Sequence, residues 1–272
     1  MKYLYLALLQ GLTEFLPVSS SGHLVFYQKV FGFQEPLLCF DIILHLATAL
    51  SVIIFLKKDL KTIMAETFIS LKQIISGKKF IFIWQENSSF RLGILIFIAI
   101  LPAIVFGLLF SNIIEVMFGS LKLVGITFLF TGTILFLTKY ANQKTRSEFN
   151  LKDALIVGLA QAVAIIPGIS RSGSTIACGM FRGIDKNLAA RFSFILAVPT
   201  IIAAGIYKLK HGIGEINLSI LMIIISFCVA FLSGYISLIF LSKMIAKAKF
   251  HYFAYYCWLM GAISIYLTIF YY

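Results

Sequence analysis

The chain has 272 residues, 60% of them hydrophobic and 12% charged, with a mean hydropathy of +0.98 and a formal net charge of +12. Soluble globular domains carry roughly 25% charged residues, so a water-soluble enzyme is excluded and a polytopic helical membrane protein is indicated. The positive charge is not collected in any soluble basic domain, which argues against a nucleic-acid partner; in membrane proteins such charge mostly sets orientation.

Taken in order, residues 3–34 are too short and too interrupted for two full spans, each of which needs about 20 apolar residues. A helix is expected from Tyr3 to Phe15, a break at Pro17, and a second helix from Gly22 to Val30, the pattern of a re-entrant hairpin. The apolar run Tyr3–Leu9 is closed by no small-residue cleavage site, so it is not read as a cleaved signal peptide. Cys39–Leu56 is a span; Asp59–Asn87 is amphipathic and expected at the membrane surface; Arg91–Phe110 and Leu121–Leu137 are spans joined by a short link around Glu115. After a polar loop, Ala154–Gly179 is a second broken segment, followed by spans at Phe192–Tyr207, Leu218–Leu241 and Tyr252–Tyr271. The expected fold is therefore all-α, one integral membrane domain over 1–272, with six transmembrane helices and two re-entrant hairpins. The cysteines Cys39, Cys178, Cys228 and Cys257 lie in apolar segments without ligand spacing and read as packing residues.

Charge gives the orientation. Loops sharing a side with residues 57–91 carry 17 Lys/Arg and the opposite side five, a strong positive-inside bias. The first hairpin then starts from the outer face and the second from the cytoplasmic face. Opposite insertion implies an inverted repeat, about 1–138 and 153–272, and the residues agree: Gln10, Pro17 and Ser19–Gly22 echo Gln161, Pro167 and Ser170–Gly173 at an offset of about 151 residues. Inverted repeats with broken helices place a site near the midplane, with half-helix N-termini facing an anion.

The two polar turns hold the candidate chemistry. Pro167-Gly168-Ile169-Ser170-Arg171-Ser172-Gly173-Ser174-Thr175 puts a guanidinium and four hydroxyls inside an apolar run. An intramembrane Arg costs at least about 2.5–3.5 kcal/mol and marks a site by default. Arg171, with Ser170, Ser172 and Thr175, suits a phosphate group. In the first turn Gln10 and Glu14 share a helix face, and Ser19, Ser20 and Ser21 precede His23. Glu14 needs a partner to stay ionised in lipid, either Arg171 or a bound cation. His23 is the nearest base for a serine nucleophile, or itself attacks phosphorus; capping accounts for at least one of the serines. His45 and Asp41, on the neighbouring span, are read as packing or supporting residues, and His211 and His251 as solvated loop residues. The second turn matches neither an ATP-type phosphate loop nor a hydrolase elbow.

Gln10-x-x-x-Glu14 with Pro17-Val18-Ser19-Ser20-Ser21-Gly22-His23, and Pro167-Gly168-Ile169-Ser170-Arg171-Ser172-x-x-Thr175, together resemble the undecaprenyl-pyrophosphate phosphatase (bacitracin-resistance protein) family over nearly the whole chain. The resemblance implies a multi-pass enzyme of the bacterial cytoplasmic membrane, open to the outer face. Such an enzyme removes one phosphate from undecaprenyl pyrophosphate to recycle the carrier for cell-wall synthesis. It further implies a divalent cation (Ca2+ or Mg2+) held by Glu14, a polyprenyl pyrophosphate lipid as partner, and a homodimer. Carried over by position, it implicates Gln10, Glu14, Ser20 and His23 from the first motif and Ser170, Arg171 and Thr175 from the second. Many members carry Glu where this chain has Gln10, which leaves Glu14 as the one carboxylate of the two motifs. The expected chemistry is attack by Ser20 with His23 as base, with His23 as nucleophile or activator of water as the variant; the competing class is a lipid-phosphate transporter or flippase.

Overall fold

Helix breakers position the site before any packing does. In the computed structural model, which describes residues 1–33, 37–141, 146–210 and 218–271, α1 (Lys2–Phe15) gives way to Leu16 with extended backbone (φ −57°, ψ 141°). That is the conformation a following proline imposes. α2 (Ser20–Val30) begins after Ser19, whose φ is +66° and whose hydroxyl accepts from the Gly22 N–H at 3.3 Å. The second broken segment repeats this plan. α9 (Leu151–Val163) ends, Pro167 and Gly168 (φ +89°) turn the chain, and Ser170 caps α10 (Arg171–Phe181) by accepting from the Gly173 N–H at 3.0 Å. At 1.5 Å rise per residue these helices reach only about 16–21 Å, short of a hydrocarbon core of about 30 Å.

Around the hairpins stand α3 (Leu38–Phe55), α4 (Lys57–Ile75), α5 (Phe80–Glu86), α6 (Ser88–Leu109), α7 (Ser111–Phe118), α8 (Leu121–Leu137), α11 (Lys186–Lys210), α12 (Ile220–Ala246) and α13 (Phe253–Phe270). Five of the described helices are long and apolar enough to cross a membrane, and a sixth if α3 and α4 count as one span bent by 82°. The all-α, multi-pass architecture agrees with the sequence. Three details differ. The surface stretch is two helices, α4 following α3 after the single residue Leu56. The link at Glu115 is itself helical, as α7. α11 and α12 run past their apolar stretches into the flanking Lys, Asn and Arg residues, because those residues propagate a helix as readily as apolar ones. His251 lies half-buried in a 3-10 turn against the Tyr252 ring, and His211 falls outside the described residues.

The hairpins are enclosed rather than peripheral. α1 packs on α12 as α9 packs on α6; α3 touches α11 and α12, and α8 pairs with α13. Phe15 and Val18 of the first hairpin and Ile176 of the second share one core with Leu196 of α11 and Leu238 of α12. Of the cysteines, Cys39 and Cys257 are buried, Cys178 is half-buried and Cys228 is exposed; all are free.

A separate charged lock secures the base of the second hairpin. The Asp153 carboxylate is fully buried and accepts from Arg146 (2.9 and 3.0 Å), Arg182 (2.9 Å) and the Asn150 N–H (3.0 Å). Burial raises the Asp153 pKa, but the bonds from Arg146, Asn150 and Arg182 outweigh it and hold the carboxyl below its ordinary 3.8. The stabilisation is therefore complete above the unfolded value and is lost as pH falls through the lower folded value. Asp153→Asn should cost about 2 kcal/mol at neutral pH, given that both arginines stay partly solvated. The measurement is thermal unfolding in detergent at pH 7 and at pH 3. The wild-type advantage over the variant should shrink at the lower pH, and an equal difference at both would remove this account.

Candidate active site

The two turns meet, as the sequence suggested. The Ser19 hydroxyl donates to the Ile169 carbonyl of the other turn and the Ser172 hydroxyl to the Leu16 carbonyl, each at 3.3 Å. They approach closely at Gly22, where a Cβ would stand 2.9 Å from the Gly168 Cα. Gly168, already in the left-handed region, has no room for a side chain beside Thr127. Two hydroxyls of α8 hold the second turn. Thr127 donates to the Pro167 carbonyl (2.7 Å); Thr131 donates to the Gly168 carbonyl (2.9 Å) and accepts from the Ser170 N–H (3.2 Å). Backbone freed by the Pro breaks is thus satisfied inside protein, as membrane depth requires.

Glu14 is the centre of the junction. Its Oε1 accepts from Arg171 Nη2 at 2.7 Å across the two hairpins. Its Oε2 accepts from Ser20 Oγ at 2.6 Å and from Gln10 Nε2 at 2.9 Å, with His45 Nε2 3.6 Å away. The side chains of Glu14 and Arg171 are 5% and 15% exposed. A serine hydroxyl this close to a buried carboxylate has its proton directed at an acceptor, the arrangement a nucleophile needs. Gln10 Oε1 is buried without a partner and is the unused acceptor of the site.

His23 does not take the position expected of it. It is fully buried, with Nδ1 2.8 Å from the Ser19 carbonyl and Nε2 2.7 Å from the Tyr256 hydroxyl. A carbonyl only accepts, so Nδ1 carries the hydrogen and Nε2 of the neutral ring accepts from the phenol. The ring lies parallel to Tyr256 (3°) and edge-on to Phe128. Ser20 gives its hydrogen to Glu14, so the Ser20–His23 pair is replaced by Ser20–Glu14. His23 steadies the strained Ser19 turn that presents Ser20.

The other predicted side chains divide between contact and support. Arg171 reaches the junction. Ser170 is the cap of α10, with its hydroxyl 3.3 Å from that of Ser172. Thr175 donates to the Arg171 carbonyl (2.8 Å) and lies 2.6 Å from the Ser193 hydroxyl of α11. Ser170, Ser172 and Thr175 are each at most 2% exposed. Their hydroxyls bond one another, helix-start N–H groups and carbonyls around Arg171. The residues that sequence reasoning set aside or passed over are His45, Tyr256, Thr127, Thr131 and Ser193. His45 is the one of these with a visible signal, a histidine in the middle of an apolar helix.

The donor set at Glu14 does not make a cation site. Both carboxylate oxygens already face protein donors, one of them cationic, and no group of three or more His, Cys, Asp or Glu side chains among the described residues is placed to hold a metal ion.

The family model described as bacitracin resistance protein BacA matches residues 3–263. Among curated proteins, the undecaprenyl-diphosphatase of Desulforapulum autotrophicum is 41% identical over 262 residues, covering 96% of this chain and 95% of the relative. Those of Halothermothrix orenii (41%, 98% of this chain and 97% of the relative) and Methanobrevibacter smithii (40%, 95% and 94%) are similar over the same extent.

The junction makes a coupling prediction. Arg171→Gln and Glu14→Gln should each destabilise the folded chain by about 3 kcal/mol, since each strands a buried charge. The double variant should fall short of the summed losses by about 0.5–3 kcal/mol. Unfolding in detergent of the four proteins measures this. Strict additivity would mean that the two side chains do not pair.

Proposed function

We propose that this chain, which belongs to the BacA family of bacitracin resistance proteins, is an integral membrane phosphatase that converts undecaprenyl pyrophosphate to undecaprenyl phosphate and inorganic phosphate, and so recycles a cell-wall lipid carrier. The observation that carries the reading is the Ser20–Glu14–Arg171 chain of contacts at the meeting of two half-helix N-termini (2.6 and 2.7 Å). A nucleophile, an acceptor for its proton and a fixed cation are what phosphoryl transfer needs, and relatives of full-length similarity are named undecaprenyl-diphosphatase. A transporter would need the cation but not the serine aimed at a carboxylate.

In this reading the polyprenyl tail stays among the spans and the diphosphate enters from the outer face of the cytoplasmic membrane. The guanidinium has five N–H donors, and those not used on Glu14 bind phosphate oxygens. The starts of α2 and α10 add a field that favours the anion. Ser20 Oγ attacks the terminal phosphorus while Glu14 Oε2 takes its proton, and lipid phosphate departs. Water then attacks the phosphoserine and releases phosphate. Gln10 holds Glu14 in register. No step is built on the divalent cation that the resemblance implies. The paired arrangement of α1–α12 and α9–α6 supports the inverted repeat of 1–138 and 153–272. The homodimer is carried into this reading from the resemblance.

Purified protein in detergent should release phosphate from farnesyl or undecaprenyl pyrophosphate. Ser20→Ala and Arg171→Ala should each lower kcat by about 100-fold or more, whereas Tyr256→Phe, which removes only the hydroxyl against His23, should cost less than about tenfold. Near-normal turnover by folded Ser20→Ala would remove Ser20 as nucleophile. No release by folded wild type with either Ca2+ or Mg2+ would remove the phosphatase itself.

A further inference from the structure

The proposed mechanism leaves a proton on Glu14 Oε2, and hydrolysis of a diphosphate near neutral pH yields one net proton. It has to leave a junction whose carboxylate is only 5% exposed. The neighbours of Glu14 differ in their ability to carry it. Arg171 stays protonated throughout. Gln10 has no titratable group. His23 is fully buried with both ring nitrogens engaged, on the Ser19 carbonyl and on Tyr256.

His45 is different on each count. It stands on α3, its Nε2 is 3.6 Å from Glu14 Oε2, and its side chain is 31% exposed. Its Nδ1 is 2.7 Å from the Asp41 carbonyl of its own helix, which can only accept. Nδ1 therefore carries a hydrogen, and Nε2 is the nitrogen turned to the carboxylate. The Asp41 side chain is itself held by both of its oxygens on Gln28 Nε2, at 3.1 Å each. The histidine thus stands between a buried acceptor and a partly exposed position, with its ring oriented by the Asp41 carbonyl. The distance to Glu14 is too long for a hydrogen bond and short enough for one to form by a small ring rotation.

We infer that His45 is the proton-exchange residue of this site, taking from Glu14 the proton that Ser20 gives up and passing it to solvent. The inference rests on Ser20 and Glu14 acting as assigned above. In the first step the Ser20 O–H bond breaks, Oγ–P forms, and the P–O bond to the lipid phosphate breaks with its electron pair on the leaving oxygen. The proton moves from Oγ to Glu14 Oε2, then to His45 Nε2, then to water. In the second step water bonds to phosphorus and the Oγ–P bond breaks. One water proton returns through Glu14 to Ser20, and the other stays on phosphate. His45 acts through Glu14, so it is a positioning and proton-transfer residue and makes no contact with phosphorus.

The titratable groups around His45 are Glu14 of α1, Arg171 of α10 through Glu14, and Asp41 on its own helix. Of the other helices packed on α3, α11 approaches Ile42 and Leu46 with Gly205, and its Tyr207 is two residues further along the chain. α12 carries Cys228, which is exposed, and Tyr235, whose ring lies on Phe55. α4 brings Lys57, Lys58 and Asp59 at the opposite end of α3.

The test uses full-length protein in detergent, with phosphate release from farnesyl pyrophosphate measured between about pH 5.5 and 9. His45→Gln should lower kcat by about tenfold or more with KM within about twofold, and should change the shape of the wild-type pH profile. His45→Ala should regain rate on addition of imidazole, because the side chain is not fully enclosed by protein. Wild-type kcat and pH profile in folded His45→Gln would overturn the inference. So would a lower kcat with an unchanged profile and no imidazole rescue, the mark of a structural role. Should neither variant be stable, ring-nitrogen NMR of histidine-labelled wild type and Glu14→Gln decides the matter. A His45 titration that moves on loss of the carboxylate supports the relay, and one that does not move overturns it. A folded wild type that releases no phosphate would remove the phosphatase reading first, and this inference with it.

Discussion

A carboxylate and a guanidinium in contact at 2.7 Å, on two helices that have each been broken to bring them together, are the constraint on which the rest of this molecule depends. Neither charge survives in lipid alone: a lone intramembrane Arg costs at least about 2.5–3.5 kcal/mol. A buried pair is seldom a net source of stability either. What Glu14 and Arg171 contribute is registration. Their pairing fixes how turn docks on turn, and that docking is possible because Gly22 and Gly168 allow the backbones to approach closely. The breaks at Pro17 and Pro167 then acquire a purpose. They stop α1 and α9 where the turns can meet and start α2 and α10 with their N–H groups beside the pair.

The same constraint explains why so many hydroxyls gather at the turns and so few are free for chemistry. Broken backbone at membrane depth must be satisfied within protein. Ser19 and Ser172 bond carbonyls across the junction, Ser170 caps α10, Thr175 bonds the carbonyl of Arg171, and Thr127 and Thr131 reach in from α8. Of the hydroxyls in the two turns, Ser20 is the one that donates to the Glu14 carboxylate. It stands apart from residues of the same type by its acceptor, and no motif records an acceptor.

That contrast marks the border of what the sequence made legible. The broken helices and the meeting of the turns follow from local signals: Pro after an apolar run and Ser before Gly. Each is a property of a few neighbouring residues. The partners of individual side chains are not. His23 lies three residues after Ser20, so the two are neighbours on the surface of α2, and proximity in sequence made the histidine the obvious base. Its ring instead turns back to Ser19 and out to Tyr256, a residue 233 positions away on α13. The role of His45 is inconspicuous in the sequence for the converse reason. Its helix could be found from hydropathy, but the angle at which that helix presents its one histidine to Glu14 depends on how α3 settles against α1. No periodicity fixes that angle.

The electrostatics of the resting junction suggest how binding and chemistry are joined. Glu14 and Arg171 cancel, and the starts of α2 and α10 each contribute roughly half a positive charge without placing an ion in the membrane. The site is thus mildly attractive to a diphosphate and stable without one. In the proposed mechanism, transfer of the Ser20 proton to Glu14 changes this balance. It removes the carboxylate charge that Arg171 had been neutralising, and it does so while the bridging oxygen of the diphosphate takes up negative charge. The guanidinium field becomes available to the phosphates as the bond breaks, so that stabilisation is concentrated in the transition state and is smaller in the bound substrate. Removing that proton through a partly exposed neighbour restores the ion pair and, with it, the resting docking of the two turns.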